Sequence, residues 1–171
     1  LAVHYQHSET AAHALQAELN NQRSNSVLLL QADLRNPPKL TSMVRQMIEH
    51  YGRLDVLINN ASTFYPTPIG KVEEQEWDDL LDTNLKAPFF LSQAAAPHLK
   101  TSQGCIINLV DIYAERPMKL HPVYSIAKAG LVMLTKALAR DLGPTVRVNA
   151  IAPGAILWPE HDLDDVSKQR I

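Results

Sequence analysis

The sequence predicts an α/β chain of doubly wound, Rossmann-like type, with a parallel sheet and helices on both faces. Three observations carry this. Short apolar runs of strand length recur along the whole chain. A stretch with helical apolar spacing separates each run from the next, which is the order that makes parallel strands with crossover helices. After nearly every apolar run comes a polar, Asn-, Gly- or Pro-bearing segment, of the kind that forms a ligand crevice at the carboxyl ends of parallel strands.

Taken in order, LAVHY (Leu1–Tyr5) reads as a strand. Ser8 is placed to cap the following helix, with Glu9 in its first turn. Ala11, Ala12, Leu15 and Leu19 mark that helix up to about Arg23. SVLLLQA (Ser26–Ala32) is continuously apolar, as expected of a strand buried on both faces. Asp33 to Pro38 connects to a helix marked by Leu40, Val44, Met47, Ile48 and Tyr51 and stopped by Gly52. LDVLIN (Leu54–Asn59) is the third strand, followed by a loop containing Phe64, Tyr65 and Pro66. A helix over Glu73–Asn84, with Trp77, Leu80 and Leu81 inward, joins a second over Asn84–Lys100 through Phe89, Phe90 and Leu91. CIINLV follows Gly104 as the fourth strand, Pro122–Leu142 is a helix, and VRVNAIA (Val146–Ala152) is the fifth strand, ended by Pro153-Gly154. The crevice would then be lined by Gln6–Ser8, Ala32–Arg35, Asn59–Tyr65, Val110–Tyr113 and Pro153–Leu157.

The 171 residues are one domain by length, 46% hydrophobic and 20% charged, which is ordinary for a globular chain able to bury a core. A formal net charge of −2 gives no electrostatic case for nucleic acid or an anionic membrane. The single cysteine, Cys105, lies in an apolar run, so no disulfide framework exists within the chain and a reducing, cytoplasmic setting is expected. No apolar run approaches the ~18 residues of a membrane span, and no basic leader precedes the first strand. Seven histidines occur without paired metal-ligand spacing, so no metal site is expected.

The chemistry concentrates between Ile106 and Leu131. Tyr124 and Lys128 are four residues apart, which puts both on one face of a helix. An ammonium beside a phenol favours the phenolate, and a lowered phenol pKa gives a proton donor or acceptor useful near neutrality. Asp111 ends an apolar strand on the side where open α/β sheets place their ligands. A carboxylate there can also serve simply as a loop cap.

Several motifs then line up: Asn59-Asn60-Ala61 after a strand, Asn84 at a helix join, Tyr124-Ser125-Ile126-Ala127-Lys128, and Arg147-Val148-Asn149 through Pro153-Gly154. In order and spacing the chain resembles the short-chain dehydrogenase/reductase family over nearly its whole length. The resemblance implies a nicotinamide cofactor and hydride transfer. It gives Tyr124 as proton donor, Lys128 as ribose ligand that depresses the Tyr pKa, and Asn84 as holder of a water and a helix kink. The family usually has Ser where Asp111 stands, and an ionised Asp cannot donate a hydrogen bond to a carbonyl. Within the family, His4-Tyr5-Gln6-His7-Ser8, Gln31-Ala32-Asp33-Leu34, the run from Asn59 to Pro68, and Val110-Asp111 resemble the pteridine reductases.

That resemblance implies reduction of a dihydropterin or dihydrofolate, with the proton relayed through Asp111 and Tyr124. Substrate-binding residues would be Phe64, stacking on the flat ring, with Asp111 and Tyr124. The expected cofactor is NADPH, because Gln6-His7-Ser8 replaces the acid that NAD enzymes carry there. Tyr5, His7 and Ser8 would meet the adenosine phosphate, and Ala32, Asp33 and Leu34 the adenine. Asn60, Ala61, Ser62, Asn84 and Val110 would line the cofactor's middle. Tyr124, Lys128, Pro153, Gly154 and Ile156 would approach its nicotinamide half. A homotetramer through the two long helices is implied as well. Residues 1–171 are expected to form one domain lacking the family's first strand with its Gly-rich turn and its C-terminal segment. The alternatives are a 3-oxoacyl or other carbonyl reductase of the same family and a non-catalytic cofactor-binding module.

Overall fold

Strands and helices alternate throughout the computed structural model, which describes residues 1–154. The elements are β1 (Ala2–Tyr5), α1 (Glu9–Gln22), β2 (Leu28–Gln31), α2 (Pro37–Tyr51), β3 (Val56–Asn59), α3 (Glu74–Leu81), a π-helical turn (Asp82–Lys86), α4 (Ala87–Ser102), β4 (Cys105–Leu109), a 3₁₀ turn (Ile112–Ala114), α5 (Pro122–Leu142) and β5 (Arg147–Ile151). All strand pairings are parallel, but they fall into two sheets: β1–β2, and β3–β4–β5 with β4 central. β1 and β3 do not pair with each other, so the sheet is interrupted between them.

One apolar core lies under β2, α2 and the start of α4, where Leu30, Leu40, Met43, Met47 and Ala87 pack together. Another joins β4 and β5 to α4, through Ile106, Val148, Ala95 and Leu99. Leu40, Leu99 and Ile106 are fully buried; truncating any one to Ala costs about 2–5 kcal/mol. Gly52 stops α2 in the left-handed conformation, φ 73°, where a side chain would be strained. Gly104 is required sterically: a Cβ there would overlap the Asp55 carbonyl oxygen.

Several expectations are corrected. Ser8 makes no side-chain cap to α1, and of that helix's apolar face only Ala12 is buried. Val56 and Ile58 are exposed, because alternate residues of β3 point to opposite faces and only the Leu57/Asn59 side is covered. Trp77 and Phe89 are also exposed, so neither belongs to the core; Leu80 does. The two helices expected to meet at Asn84 run on through the π turn. α5 spans the expected residues.

Candidate active site

The carboxyl ends of the strands bring the expected segments together in two groups. At one, the β1 and β2 ends lie side by side: the Ala32 N–H donates to the Tyr5 carbonyl at 3.2 Å and His4 Nε2 to the Ala32 carbonyl at 2.9 Å. At the other, the β4 and β5 ends are tied by Val110 N–H to the Ile151 carbonyl at 2.9 Å and Ile112 N–H to the Pro153 carbonyl at 3.3 Å. Val110 is buried, Pro153 half-buried and Gly154 exposed. Ile156 lies outside the described residues.

Asp111 uses its two oxygens differently. Oδ1 accepts the Tyr113 N–H at 2.9 Å and caps the 3₁₀ turn. Oδ2 accepts the Tyr124 hydroxyl at 2.7 Å. The cap fixes the carboxylate so that its second oxygen faces the phenol, although thirteen residues separate the two. Tyr124 and Lys128 share the buried face of α5 with Ala127 and Leu131. The Lys128 ammonium donates to the Leu109 carbonyl at 3.0 Å and stands 5.5 Å from the Tyr124 ring centre.

The Tyr124 phenol is shifted upward from its ordinary value of 10.0, chiefly by burial and then by the hydrogen bond to Asp111. This overturns the expectation that Lys128 lowers it. The ammonium is directed at a backbone carbonyl rather than the phenol oxygen, while the carboxylate holds the phenol in its neutral form. Lys128 is itself shifted down, chiefly by burial, with Asp111 opposing.

Asn84 sits in the π turn, 1% exposed. Its amide nitrogen donates to the Leu80 carbonyl at 2.9 Å and the Thr63 carbonyl at 3.0 Å. Its Oδ1 accepts the Ser62 hydroxyl at 2.6 Å. The side chain therefore ties the loop after β3 to the helix distortion. Asn60 and Ala61 are exposed along that loop.

Phe64 meets Tyr124 edge to face, ring centres 4.8 Å apart, and stacks on His121 at 4.6 Å with planes 5° apart. His121 is buried, and its Nδ1 donates to the Lys119 carbonyl at 2.9 Å. Thr67 is fully buried; its N–H donates to the Leu120 carbonyl at 2.7 Å. These contacts join the aromatic loop to the entry of α5. The sequence reading missed His121 and Thr67. The signal available was His121-Pro122, a ring directly before a helix that starts with Pro at its first position. Leu120 adopts φ 66°, a left-handed conformation that costs a non-glycine residue about 1–3 kcal/mol.

The β1–β2 end is more open. His7 and Ser8 are exposed. Arg35 binds Asp33 through Nε and Nη2, the latter at 2.8 Å, and this guanidinium holds the Asp33 carboxyl below its ordinary value, with a smaller contribution from His7. Arg35 also reaches Asp79 of α3 at 3.3 Å. The Tyr65 hydroxyl donates to Asp79 at 3.1 Å. A cavity of about 560 Å³ lies here, lined by Asp33, Arg35, Asn36, Asp78, Asp79 and Asp82 among others.

At Lys128 the residues present fit the ribose of a dinucleotide. The Lys128 ammonium has three N–H donors and uses one, on Leu109, among the described residues. Two remain for adjacent hydroxyls, which a ribose presents. No cluster of metal-binding side chains occurs among the described residues, and no described helix is long and apolar enough to cross a membrane.

A family model described as short chain dehydrogenase matches residues 1–165. A 3-oxoacyl-[acyl-carrier-protein] reductase of Staphylococcus aureus is 35% identical over 174 residues, covering 100% of this chain and 70% of that protein. A probable galactose dehydrogenase of Rhizobium meliloti is 42% identical over 130 residues, 75% of this chain and 51% of its own. Pteridine reductase 1 of Leishmania tarentolae is 32% identical over 199 residues, 94% of this chain and 69% of its own.

Proposed function

Because the chain belongs to the short-chain dehydrogenase/reductase family, oxidoreductases that work with NAD(P)(H), we propose that it is an NADPH-dependent pteridine reductase. It takes a dihydropterin or dihydrofolate to the tetrahydro form. The observation that carries the reading is the 2.7 Å hydrogen bond between the Tyr124 hydroxyl and Asp111 Oδ2. A carboxylate in this position suits the amino and ring N–H donors of a pterin better than the oxygen of a ketone.

A cofactor held by Lys128 would supply a hydride to the carbon of a ring C=N bond. The neighbouring nitrogen must then take a proton. Burial and Asp111 keep Tyr124 protonated through the neutral range, so the Asp111–Tyr124 unit holds that proton and releases it as the nitrogen becomes basic. Lys128, close to the Tyr124 ring, stabilises the negative charge left behind until solvent reprotonates the pair. Phe64 forms one wall for the flat ring, half of its surface being free.

His7 and Ser8 bind the 2′-phosphate, and Asp33 and Leu34 flank the adenine. Tyr5, Ala32, Asn60, Ala61, Ser62, Asn84 and Val110 line the cofactor, with Pro153 and Gly154 near its nicotinamide. The protein acts in the cytoplasm and assembles as a homotetramer through its long helices. The exposure of Trp77, Phe89, Ile126 and Met133 supports that assembly.

The second reading is a carbonyl reductase, favoured by the 3-oxoacyl reductase relative that matches the whole chain. Following NADPH oxidation by the full-length protein with dihydrobiopterin, dihydrofolate and a 3-oxoacyl thioester separates the two. Activity on the thioester alone overturns the pteridine reading. Asp111→Ser should lower pteridine turnover by about 100-fold or more, the usual worth of a positioned acid–base group.

A further inference from the structure

Phe64 is a large apolar side chain, 53% exposed, in a loop whose backbone is held on both sides of it. One residue earlier, the Thr63 carbonyl accepts the Asn84 amide N–H at 3.0 Å. Three residues later, the fully buried Thr67 donates its N–H to the Leu120 carbonyl at 2.7 Å. What remains free is rotation of the ring about its own side-chain bonds. Two neighbours limit it. Tyr124 meets the ring edge to face, with planes at 78°. His121 lies parallel to it, ring centres 4.6 Å apart and planes 5° apart. A parallel neighbour covers one whole face and so sets the plane of the ring, which an edge contact does not. The His121 ring is itself fixed. It is buried, and its Nδ1 donates to the Lys119 carbonyl at 2.9 Å, a bond that places the ring proton on Nδ1. Its own carbonyl accepts the Ser125 N–H at 3.1 Å, which ties it to the start of the helix that carries Tyr124. Any apolar side chain could fill this space; a tethered flat ring also fixes an orientation.

We infer that His121 is a positioning residue for substrate: it holds the Phe64 ring at one angle, so that the face opposite His121 is ready for a flat heteroaromatic ring. This rests on the pteridine reading above and adds to it the residue that preorganises the substrate wall. His121 covers the other face of Phe64, so it acts through that ring rather than on the ring seated against it. An aromatic side chain that is already immobile loses no further freedom when a ligand arrives, and affinity gains by that amount. The parallel stack supplies the restraint, and the bond to Lys119 keeps the stacking partner in place.

The test uses the full-length enzyme with NADPH and whichever of dihydrobiopterin and dihydrofolate the parent reduces. His121→Asn keeps a donor for the Lys119 carbonyl but has no ring face. It should raise the KM for the pteridine about three- to tenfold, the size expected for a side chain that must now be immobilised on binding. Its kcat and its KM for NADPH should stay within about twofold of the parent, because the chemistry and the cofactor contacts are untouched. His121→Phe keeps the face and loses the bond, and its pteridine KM should rise by about twofold or less, since the stack is retained. In a Phe64→Leu background, His121→Asn should add less than about twofold, because the two residues act as one unit. A role in stability alone would lower the thermal midpoint and leave the KM of the folded enzyme where it was. The inference is overturned if His121→Asn leaves the pteridine KM unchanged, if His121→Phe loses as much as His121→Asn, or if His121→Asn costs as much without Phe64 as with it. In each of these cases the pteridine reading stands. A parent that reduces neither substrate removes the pteridine reading and this inference together.

Discussion

The carboxylates of Asp33 and Asp111 stand at the same ends of two different parallel sheets, and they are held differently. Asp33 is bound in the open by Arg35, an ion pair with both side chains about two-fifths exposed. Asp111 is bound by a backbone N–H and a buried phenol. The first arrangement can yield to a ligand, since exchanging one exposed polar partner for another costs little. The second is preorganised, because moving Asp111 would leave the buried Tyr124 hydroxyl unsatisfied. In the proposed enzyme the adaptable end receives the adenosine half of the cofactor and the fixed end does the chemistry.

The largest expected effect lies at the fixed end. Tyr124→Phe removes the proton held between the two side chains and should lower kcat by about 100- to 10,000-fold, with the KM for NADPH little changed. A loss confined to cofactor affinity would place Tyr124 among binding residues and end the contrast. The pH dependence of stability sharpens it. Tyr124 is raised in the fold, so its contribution to stability is full below the unfolded phenol value of about 10. It is lost as the pH rises through the higher folded value. Urea midpoints should fall as the pH rises above about 10, and by less in Tyr124→Phe.

How much of this was legible in the sequence differs by level. The bounds of α5 could be read because Pro122 sets its first turn and a continuous apolar stripe carries it to Leu142. The exposure of Val56 and Ile58 could not, because a run of apolar residues does not reveal whether anything covers each face. The π turn has no composition of its own; Asn84 stabilises it with bonds to Leu80 and Thr63, and those depend on the loop after β3. The spacing of Tyr124 and Lys128 revealed a shared face but gave the wrong sign for the phenol. Burial and a carboxylate thirteen residues away outweigh an ammonium one turn along the helix. Thr67 was missed because its role arises from two loops meeting, and His121-Pro122 marks the start of a helix without showing that Phe64 lies on the ring.

An intermediate effect is expected at the adaptable end. His7→Ala should raise the KM for NADPH by about fivefold or less, because an exposed ionic contact contributes at most ~1 kcal/mol. The effect should shrink as salt is added. The KM for the pteridine should not move. A change in both would mean that the two ends are coupled more tightly than their separate hydrogen-bond sets imply.

Asp79 is where such coupling would run, and its replacement should give the smallest effect. It takes Arg35 from the adenosine side and the Tyr65 hydroxyl from the aromatic loop. Tyr65 is half-buried, and burial, followed by the bond to Asp79, pushes its phenol up to about 12. Asp79→Asn keeps the shape and an acceptor oxygen for Tyr65 but removes the charge. The Tyr65 phenol should therefore titrate closer to 10, which spectrophotometric titration against a Tyr65→Phe control would record. Stability should change by less than about 1 kcal/mol, since Arg35 retains Asp33 and exposed ion pairs contribute little. If the KM for the pteridine also rises, Tyr65 transmits the state of the adenosine end to Phe64, its neighbour in the chain. If it stays constant, Asp111 and its partners set the substrate wall without help from the cofactor side.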